Sequence, residues 1–302
     1  LAKLAWHITH PDDGGPVPHW VTGIGPDTLV VIDEAGMADT LTLDTVIEYA
    51  ITAGASVRLI GDDQQLAAVG AGGVLRDIAA THGAVHLSEL MRFTNPAEAA
   101  ASLALRDGHL EAIGFYLDNR RLHIGDQDTL LDDILSAWAA DHAAGRDAIM
   151  LAPTRDLVAT LNAQARTHRL TQQQGTIEAA IDGGSACSHP LTSTNTHGQQ
   201  AGSVGREVRL ADGNLASVGD LIITRSNDRR LRVTATDWVK NGDRWRITDI
   251  TPTGAITAAR VRGGRHITLP PAYVTASVDL GYATTIHTAQ GVTADTSHTL
   301  LT

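Results

Sequence analysis

The polar and apolar positions of the chain fall into two blocks of one texture separated by a stretch of another. Leu29-Val30-Val31-Ile32 is an apolar run of strand length, and Val57 to Ile60 is a second. Between them, Leu43, Val46, Ile47 and Ala50 recur across Leu41 to Ala53 at the spacing of a helix that buries one face. Short apolar strands alternating with one-sided helices are what a parallel sheet flanked by helices requires, so this block predicts an α/β layer structure. A second block repeats the pattern, with a helix predicted over Asp126 to Ala144, a strand over Ala148 to Leu151 and a helix starting near Thr154. It resumes near the end of the chain, where Val274 to Leu280 and Thr299 to Leu301 are read as strands.

The intervening texture has two parts. Thr171 to Gly202 is rich in Gln, Ser, Thr, Gly and His and poor in large apolar residues, which predicts a long exposed connection. Val204 to Tyr273 then carries short alternating runs at Val208 to Leu210, Leu221 to Thr224, Leu231 to Thr234, Trp245 to Ile250 and Ala255 to Val261, separated by Gly and Asp turns. These predict a small β-barrel inserted into the second α/β block.

Composition narrows the picture. A chain of 302 residues that is 43% hydrophobic can bury the cores of two or three domains. It contains no apolar run of the roughly 18 residues needed to cross a bilayer, and its first residues lack the order of a signal peptide. Membrane insertion is therefore not expected, and a cytoplasmic location is. Cys187 is the only cysteine, which excludes an intrachain disulfide and a multi-thiolate zinc site, and the 14 histidines are scattered. The formal net charge of −11 argues against coating nucleic acid by bulk charge, but the distribution is uneven. From Arg206 to Arg265 there are 12 Arg or Lys against 7 Asp or Glu, one basic segment in an acidic chain. Lys3 and Lys240 are the only lysines, so nearly all positive charge is arginine.

Candidate chemistry sits where apolar runs end. Asp33 and Glu34 follow the strand Leu29 to Ile32, and a buried parallel strand delivers its C-terminal residues to the ligand crevice of an α/β sheet. Such a carboxylate pair can hold Mg²⁺ and orient a water; the same residues could simply end the strand in a polar turn. The next strand ends in Gly61-Asp62-Asp63-Gln64-Gln65-Leu66, with Gly61 placed 28 residues after Asp33. Further on stand Leu87-Ser88-Glu89-Leu90-Met91-Arg92-Phe93, then Leu151-Ala152-Pro153-Thr154-Arg155 followed by Leu161-Asn162. The last is Gly281-Tyr282-Ala283-Thr284-Thr285-Ile286-His287-Thr288-Ala289-Gln290-Gly291. Thr154 could offer its hydroxyl to a phosphate group or could cap the following helix, and both readings stand.

Together these motifs resemble those of RecD-like superfamily 1 DNA helicases, and in overall wording the helicase modules of MobF-type conjugative relaxases, the TraA, TraI and TrwC group. The resemblance spans essentially the whole chain. It implies two RecA-like parallel-sheet motor domains, the first incomplete, with a small SH3-like β-barrel insertion. The implied division is residues 1–86 for the partial first domain, 87–203 and 274–302 for the two parts of the second, and 204–273 for the barrel. In the roles it implies, Asp33 holds Mg²⁺, Glu34 activates the water that attacks ATP, Gln65 senses the γ-phosphate with Asp62 supporting it, and Arg92 is an arginine finger. Gly291 would line the nucleotide, Thr154 and Arg155 would contact the DNA backbone, and Thr285, His287 and Gln290 would bind single-stranded DNA. Two positions depart from the family pattern: Thr288 stands where a lysine is usual and Thr293 where a glutamate is frequent, which puts those two contacts in doubt.

The barrel could lie against single-stranded DNA, with Arg225, Arg229, Arg230 and Arg232 tracking phosphates and Trp238 or Trp245 stacking a base. Alternatively the arginines form a solvated face and the tryptophans belong to the barrel's own core. The expected partners are single-stranded and duplex DNA and a conjugative transfer apparatus, with unwinding from 5′ to 3′ implied by the resemblance alone. No Gly-x-x-x-x-Gly-Lys-Ser/Thr phosphate loop occurs in the sequence, and it stops before the family's last motif, so the chain by itself is expected neither to hydrolyse ATP nor to unwind DNA. A stand-alone RecD-like repair helicase and a non-catalytic DNA-binding remnant remain open as alternatives.

Overall fold

The computed structural model describes residues 1–11, 17–64, 73–87, 93, 95–182, 205–290 and 292–301, with side chains along the last turns of its longest helix described only to residue 175. The chain divides into two compact units, Leu1–Leu122 and His123–Thr302.

The first unit contains helices α1 (Ala2–Thr9) and α2 (His19–Thr22), strand β1 (Leu29–Ile32), helix α3 (Thr40–Thr52), strand β2 (Ser56–Leu59) and helices α4 (Val74–His82), α5 (Pro96–Arg106) and α6 (Glu111–Asp118). β1 and β2 pair in parallel, with Leu29 opposite Ser56 and Ile32 opposite Leu59. Because side chains alternate across a strand, Val30, Ile32, Val57 and Leu59 share one face. That face packs on Leu43 and Val46 of α3 and Leu4, Ala5 and Ile8 of α1. α3 starts where it does because the Asp39 carboxylate accepts the Thr42 N–H at 2.8 Å, satisfying a donor that the helix leaves unpaired.

The second unit begins with helix α7 (Gln127–Ala143), strand β3 (Ala148–Ala152) and helix α8 (Arg155–Asp182). Asp126 caps α7 by accepting the Thr129 N–H at 2.9 Å. Ten short elements then form the β-rich part: β4 (Glu207–Arg209), β5 (Leu215–Ser217), β6 (Leu221–Thr224), β7 (Asp228–Arg232), β8 (Trp238–Val239), β9 (Arg244–Ile250), β10 (Ile256–Arg260), β11 (His266–Leu269), helix α9 (Pro271–Ser277) and β12 (Val278–Leu280). Strands β13 (Ala283–Thr285) and β14 (Thr296–Thr299) return to β3, flanking it in a parallel sheet ordered β13-β3-β14. The barrel's main sheet is antiparallel, ordered β11-β10-β9-β6-β12, with β4–β5 and β7–β8 as two-stranded ribbons. Parallel sheets flanked by helices and an inserted β-barrel are thus the architecture the patterning predicts.

Three local expectations are corrected. Val274 to Leu280 is not one strand: Pro271 occupies the first turn of α9, where its missing N–H costs nothing, and only Val278–Leu280 is extended. That strand pairs with β6 of the barrel, Val278 opposite Thr224, and not with the parallel sheet. Thr171 to Asp182 is not a loop but the end of α8, because straight-chain Gln residues at 172 to 174 favour a helix as readily as they suit a solvated connection. The strand expected at Thr299 to Leu301 lies at Thr296–Thr299, where β-branched threonines alternate with Ser and His and offer little apolar signal.

Gly281 is the crossing point between barrel and sheet. A Cβ there would lie 2.6 Å from the carbonyl carbon of Ile222, so only glycine lets the chain pass against β6 before entering β13. A single hydrophobic cluster runs through this unit: Trp138 of α7, Met150 of β3 and Leu161 of α8 belong to the same buried set as Trp245, Ile250 and Leu269 of the barrel.

Candidate functional site

In the first unit, the carboxylates stand at the C-terminal ends of adjacent parallel strands. Ile60 N–H donates to Ile32 O at 2.8 Å and Ala35 N–H donates to Ile60 O at 2.9 Å, so the turn after β1 is stitched to the turn after β2. This brings Asp33-Glu34 and Asp62 to one edge. Asp33 and Glu34 are exposed and Asp62 is half-buried. The Asp33 carboxylate accepts the Glu34 N–H at 3.0 Å, and the Asp62 carboxylate accepts the Gln64 N–H at 3.0 Å. Glu34 itself adopts φ 52° and ψ 42°, the left-handed region that side-chain-bearing residues rarely enter, before the 3₁₀ turn Ala35–Met37. The packing is tight, since a Cβ on Gly61 would lie 3.2 Å from the Ala35 nitrogen and 3.0 Å from Leu75. Gln65 and Arg92 lie outside the described residues.

In the second unit, β3 and β13 deliver a second group. Thr285 is opposite Ala152, and Ile286 N–H donates to Ala152 O at 3.1 Å, so Thr154-Arg155 and the segment Thr285 to Gln290 leave the same edge of the sheet. Thr154 Oγ1 accepts the Leu157 N–H at 3.3 Å, which makes it the cap of α8, while its side chain stays exposed. The Thr285 hydroxyl lies 2.7 Å from the Thr288 hydroxyl and accepts the Thr288 N–H at 3.3 Å, folding Ile286 to Gln290 into a compact turn in which His287 and Gln290 are half-buried. Gly291 lies outside the described residues. Beneath them, buried Asn162 accepts N–H groups from Tyr282 at 3.1 Å and Ala283 at 2.8 Å and donates to Ala283 O at 3.3 Å.

Arg229 and Arg230 are not brought to this edge group by any described contact; they project from the β7–β8 ribbon. The Arg229 guanidinium lies over the Trp238 ring at 4.9 Å and Lys240 Nζ approaches the same ring at 5.4 Å. Arg230 pairs with Asp228 at 2.9 Å and remains 90% exposed. Arg225 pairs with Asp279 at 3.1 Å, and Arg232 donates to Ala235 O at 2.8 Å. Burial pushes the Asp279 carboxyl above its usual range, aided by neighbouring Asp212 and opposed by Arg225 and Arg155. The two tryptophans separate: Trp245 is fully buried, whereas Trp238 is half-buried.

Residues that motif reading did not single out form a buried cluster behind this edge. Asp220, with no exposed surface, accepts Arg166 Nε at 3.1 Å, Arg169 Nε at 2.7 Å and the Tyr282 hydroxyl at 2.5 Å. The available signal was a lone carboxylate opening the apolar run Leu221 to Ile223. Burial, followed by the adjacent Asp220 charge, raises the Tyr282 hydroxyl well above its ordinary value.

Among the described residues no three His, Cys, Asp or Glu side chains gather into a metal-binding group, and no helix is long and apolar enough to cross a membrane. Magnesium on a nucleotide needs no such group, because one or two carboxylates and the phosphates suffice, and the exposed Asp33 carboxylate is a donor of that kind.

Residues 1–127 match the family model for an AAA domain (AAA_30), and residues 208–279 match the Rv2311 SH3-like barrel domain. With the parallel sheets, these matches define the class at the level of the fold: an AAA-type α/β domain followed by a unit that carries an SH3-like barrel. In sequence, the chain is 28% identical over 272 residues to the conjugal transfer protein TraA of Agrobacterium fabrum, and 27% identical over 272 residues to a TraA of Sinorhizobium fredii. Each match covers 89% of the chain, which spans 22% of the length of these curated relatives. In structure, it resembles the Pif1 helicase from Candida albicans with a TM-score of 0.52 at 15% identity, covering 89% of the chain and 64% of that protein.

Proposed function

We propose that the chain is the motor module of an ATP-dependent DNA helicase or translocase in a protein that serves conjugative DNA transfer, unwinding from 5′ to 3′ in the cytoplasm. The observation that carries this reading is the convergence of Asp33-Glu34 and Asp62 at the ends of adjacent parallel strands β1 and β2. The names of the TraA relatives support the transfer context. The proposed domains are 1–86, 87–203 with 274–302, and the barrel 204–273.

Asp33 would hold Mg²⁺, directly or through water, and the ion would neutralise charge on the phosphate oxygens of ATP. Glu34, exposed beside it, accepts a proton from the attacking water at its carboxylate and keeps that water oriented. Asp62 orders its own turn by accepting the Gln64 N–H, and Gln65, next in sequence, reports on the γ-phosphate. Arg92 supplies transition-state charge stabilisation, and Gly291 lines the nucleotide. Thr154, Arg155, Thr285, His287 and Gln290 share one sheet edge and hold a single strand of DNA, with Arg229 and Arg230 meeting its phosphates from the barrel. Thr154 thereby serves both as helix cap and as phosphate contact, because its exposed hydroxyl keeps a free donor while accepting from Leu157.

The test is DNA-stimulated ATP turnover by the longest reading frame containing this chain, with Glu34→Gln as the comparison. Turnover that requires Mg²⁺, DNA and Glu34 is the expected result. Turnover indifferent to Glu34→Gln would overturn the assignment.

A further inference from the structure

The buried cluster behind the sheet edge joins three elements that the chain could have left independent. Along α8, Asn162, Arg166 and Arg169 are spaced four and three residues apart and so lie on one face. Asn162 holds β13 by its three backbone hydrogen bonds at Tyr282 and Ala283. Arg166 and Arg169 reach Asp220, which sits in the turn between β5 and β6 of the barrel. Tyr282, the residue before β13, closes the ring by donating its hydroxyl to the same carboxylate at 2.5 Å. Ser217 adds its N–H at 2.7 Å, and Gly281 N–H donates to Leu221 O at 2.8 Å.

A carboxylate with no exposed surface depends on these donors, because it has no water to replace them. Any shift of the barrel relative to α8 or β13 strips Asp220 of partners, so the arrangement resists small displacements. A second tie works independently: Arg244, 5% exposed at its side chain, pairs with Asp147 at 2.6 Å at the start of β3, and Arg262 bridges Asp147 and Asp295 ahead of β14. An inserted barrel needs neither tie merely to fold as a barrel.

We propose that Tyr282 and Asp220 are positioning residues that lock the barrel to β13, so that Arg229 and Arg230 and the Thr285 to Gln290 turn meet one nucleic-acid strand as a single body. The DNA half of this proposal rests on the function proposed above; the lock does not.

The experiment uses the 302-residue chain with Tyr282→Phe, which keeps the ring and removes the donor, and with Asp220→Asn as a second variant of unchanged shape. Hydrogen–deuterium exchange is expected to quicken about tenfold together in 215–224 and 281–290, with 29–59 unchanged. Exchange that quickens in only one of the first two segments, or in neither, overturns the lock. Affinity for a fluorescent oligothymidylate of about 20 nucleotides is then measured with and without the paired change Arg229→Ala and Arg230→Ala. In the parent chain that pair is expected to weaken binding about tenfold, and in the Tyr282→Phe background only about twofold. Equal losses in both backgrounds overturn the positioning role, since a merely structural Tyr282 would leave the two effects additive. No binding by the parent chain at low salt removes the DNA half, and the exchange result still decides the lock.

Discussion

At the scale of single residues, the chain treats two polar side chains in opposite ways. Glu34 is exposed and occupies left-handed backbone that glycine would adopt without strain. Glu34→Gly should therefore leave the unfolding free energy unchanged or raise it by up to about 1 kcal/mol, while removing the proposed proton acceptor. Chemical denaturation checks this, and a loss well beyond that size would mean the carboxylate is structural. Asn162 is buried and irreplaceable by contrast. Asn162→Ala strands two backbone N–H groups and one carbonyl with no water to take them, a loss on the order of 3 kcal/mol in the same assay. A loss under about 1 kcal/mol would show that β13 finds other partners.

At the scale of elements, α7 shows how packing sets a pH response. Its His142 ring stacks on Trp138 at 5.2 Å, and burial, followed by nearby Arg246 and Arg244, lowers its pKa below the ordinary 6.5. The folded chain therefore binds that proton less readily than the unfolded chain, and stability falls as pH drops from about 6.5 toward the lowered value. The preceding residue acts lower on the scale. Burial works against the Asp141 carboxylate, but the neighbouring Thr296 hydroxyl and the hydrogen bonds with Arg146 and His298 outweigh it and hold its pKa below 3.8. Its contribution is present above 3.8 and is lost as pH falls through the depressed value. Melting temperatures between pH 7 and 5 should drop in the parent chain and drop less in His142→Phe; identical slopes would remove His142 as the cause. None of this was legible in the sequence, where α7 showed only its apolar spacing. The elements that were legible, β1, α3 and β3, are those whose burial is one-sided or complete and whose ends carry Asp or Gly. The errors fell on α9, β14 and the end of α8, where Pro, Thr and Gln satisfy two conformations equally and tertiary pairing decides. The candidate carboxylates were readable because strand ends and ligand edges coincide in a parallel sheet. The Asp220 cluster was not, because its members are separated by up to 116 positions and only folding joins Arg166 to Tyr282.

For the whole molecule, the decisive quantity is how much positive charge is free to meet phosphate. The basic segment from Arg206 to Arg265 holds 12 cations against 7 acids, yet much of that charge is already answered inside the fold. Arg225 faces Asp279, Arg230 faces Asp228, Arg260 bridges Asp237 and Asp243, and Arg244 and Arg262 are tied to Asp147. Each carboxylate cancels field that would otherwise draw a polyanion, while the rest of the chain is strongly acidic. Few phosphates can therefore be neutralised at once, with Arg155 and Arg229 the exposed cations of the proposed path that lie outside the ion pairs just named. For about two or three such contacts, the logarithm of single-strand affinity should fall with the logarithm of salt at a slope of about −1.5 to −2. Fluorescence anisotropy across a salt series measures it directly. Charge reversal at Arg229 and Arg230 together should flatten the slope by about 1. A slope of about −5 or steeper in the parent chain would mean that the internal ion pairs open on binding and release their arginines to the nucleic acid. An unchanged slope after the reversal would take the barrel out of the DNA path and leave the sheet edge at Thr154 and Thr285 to bind alone.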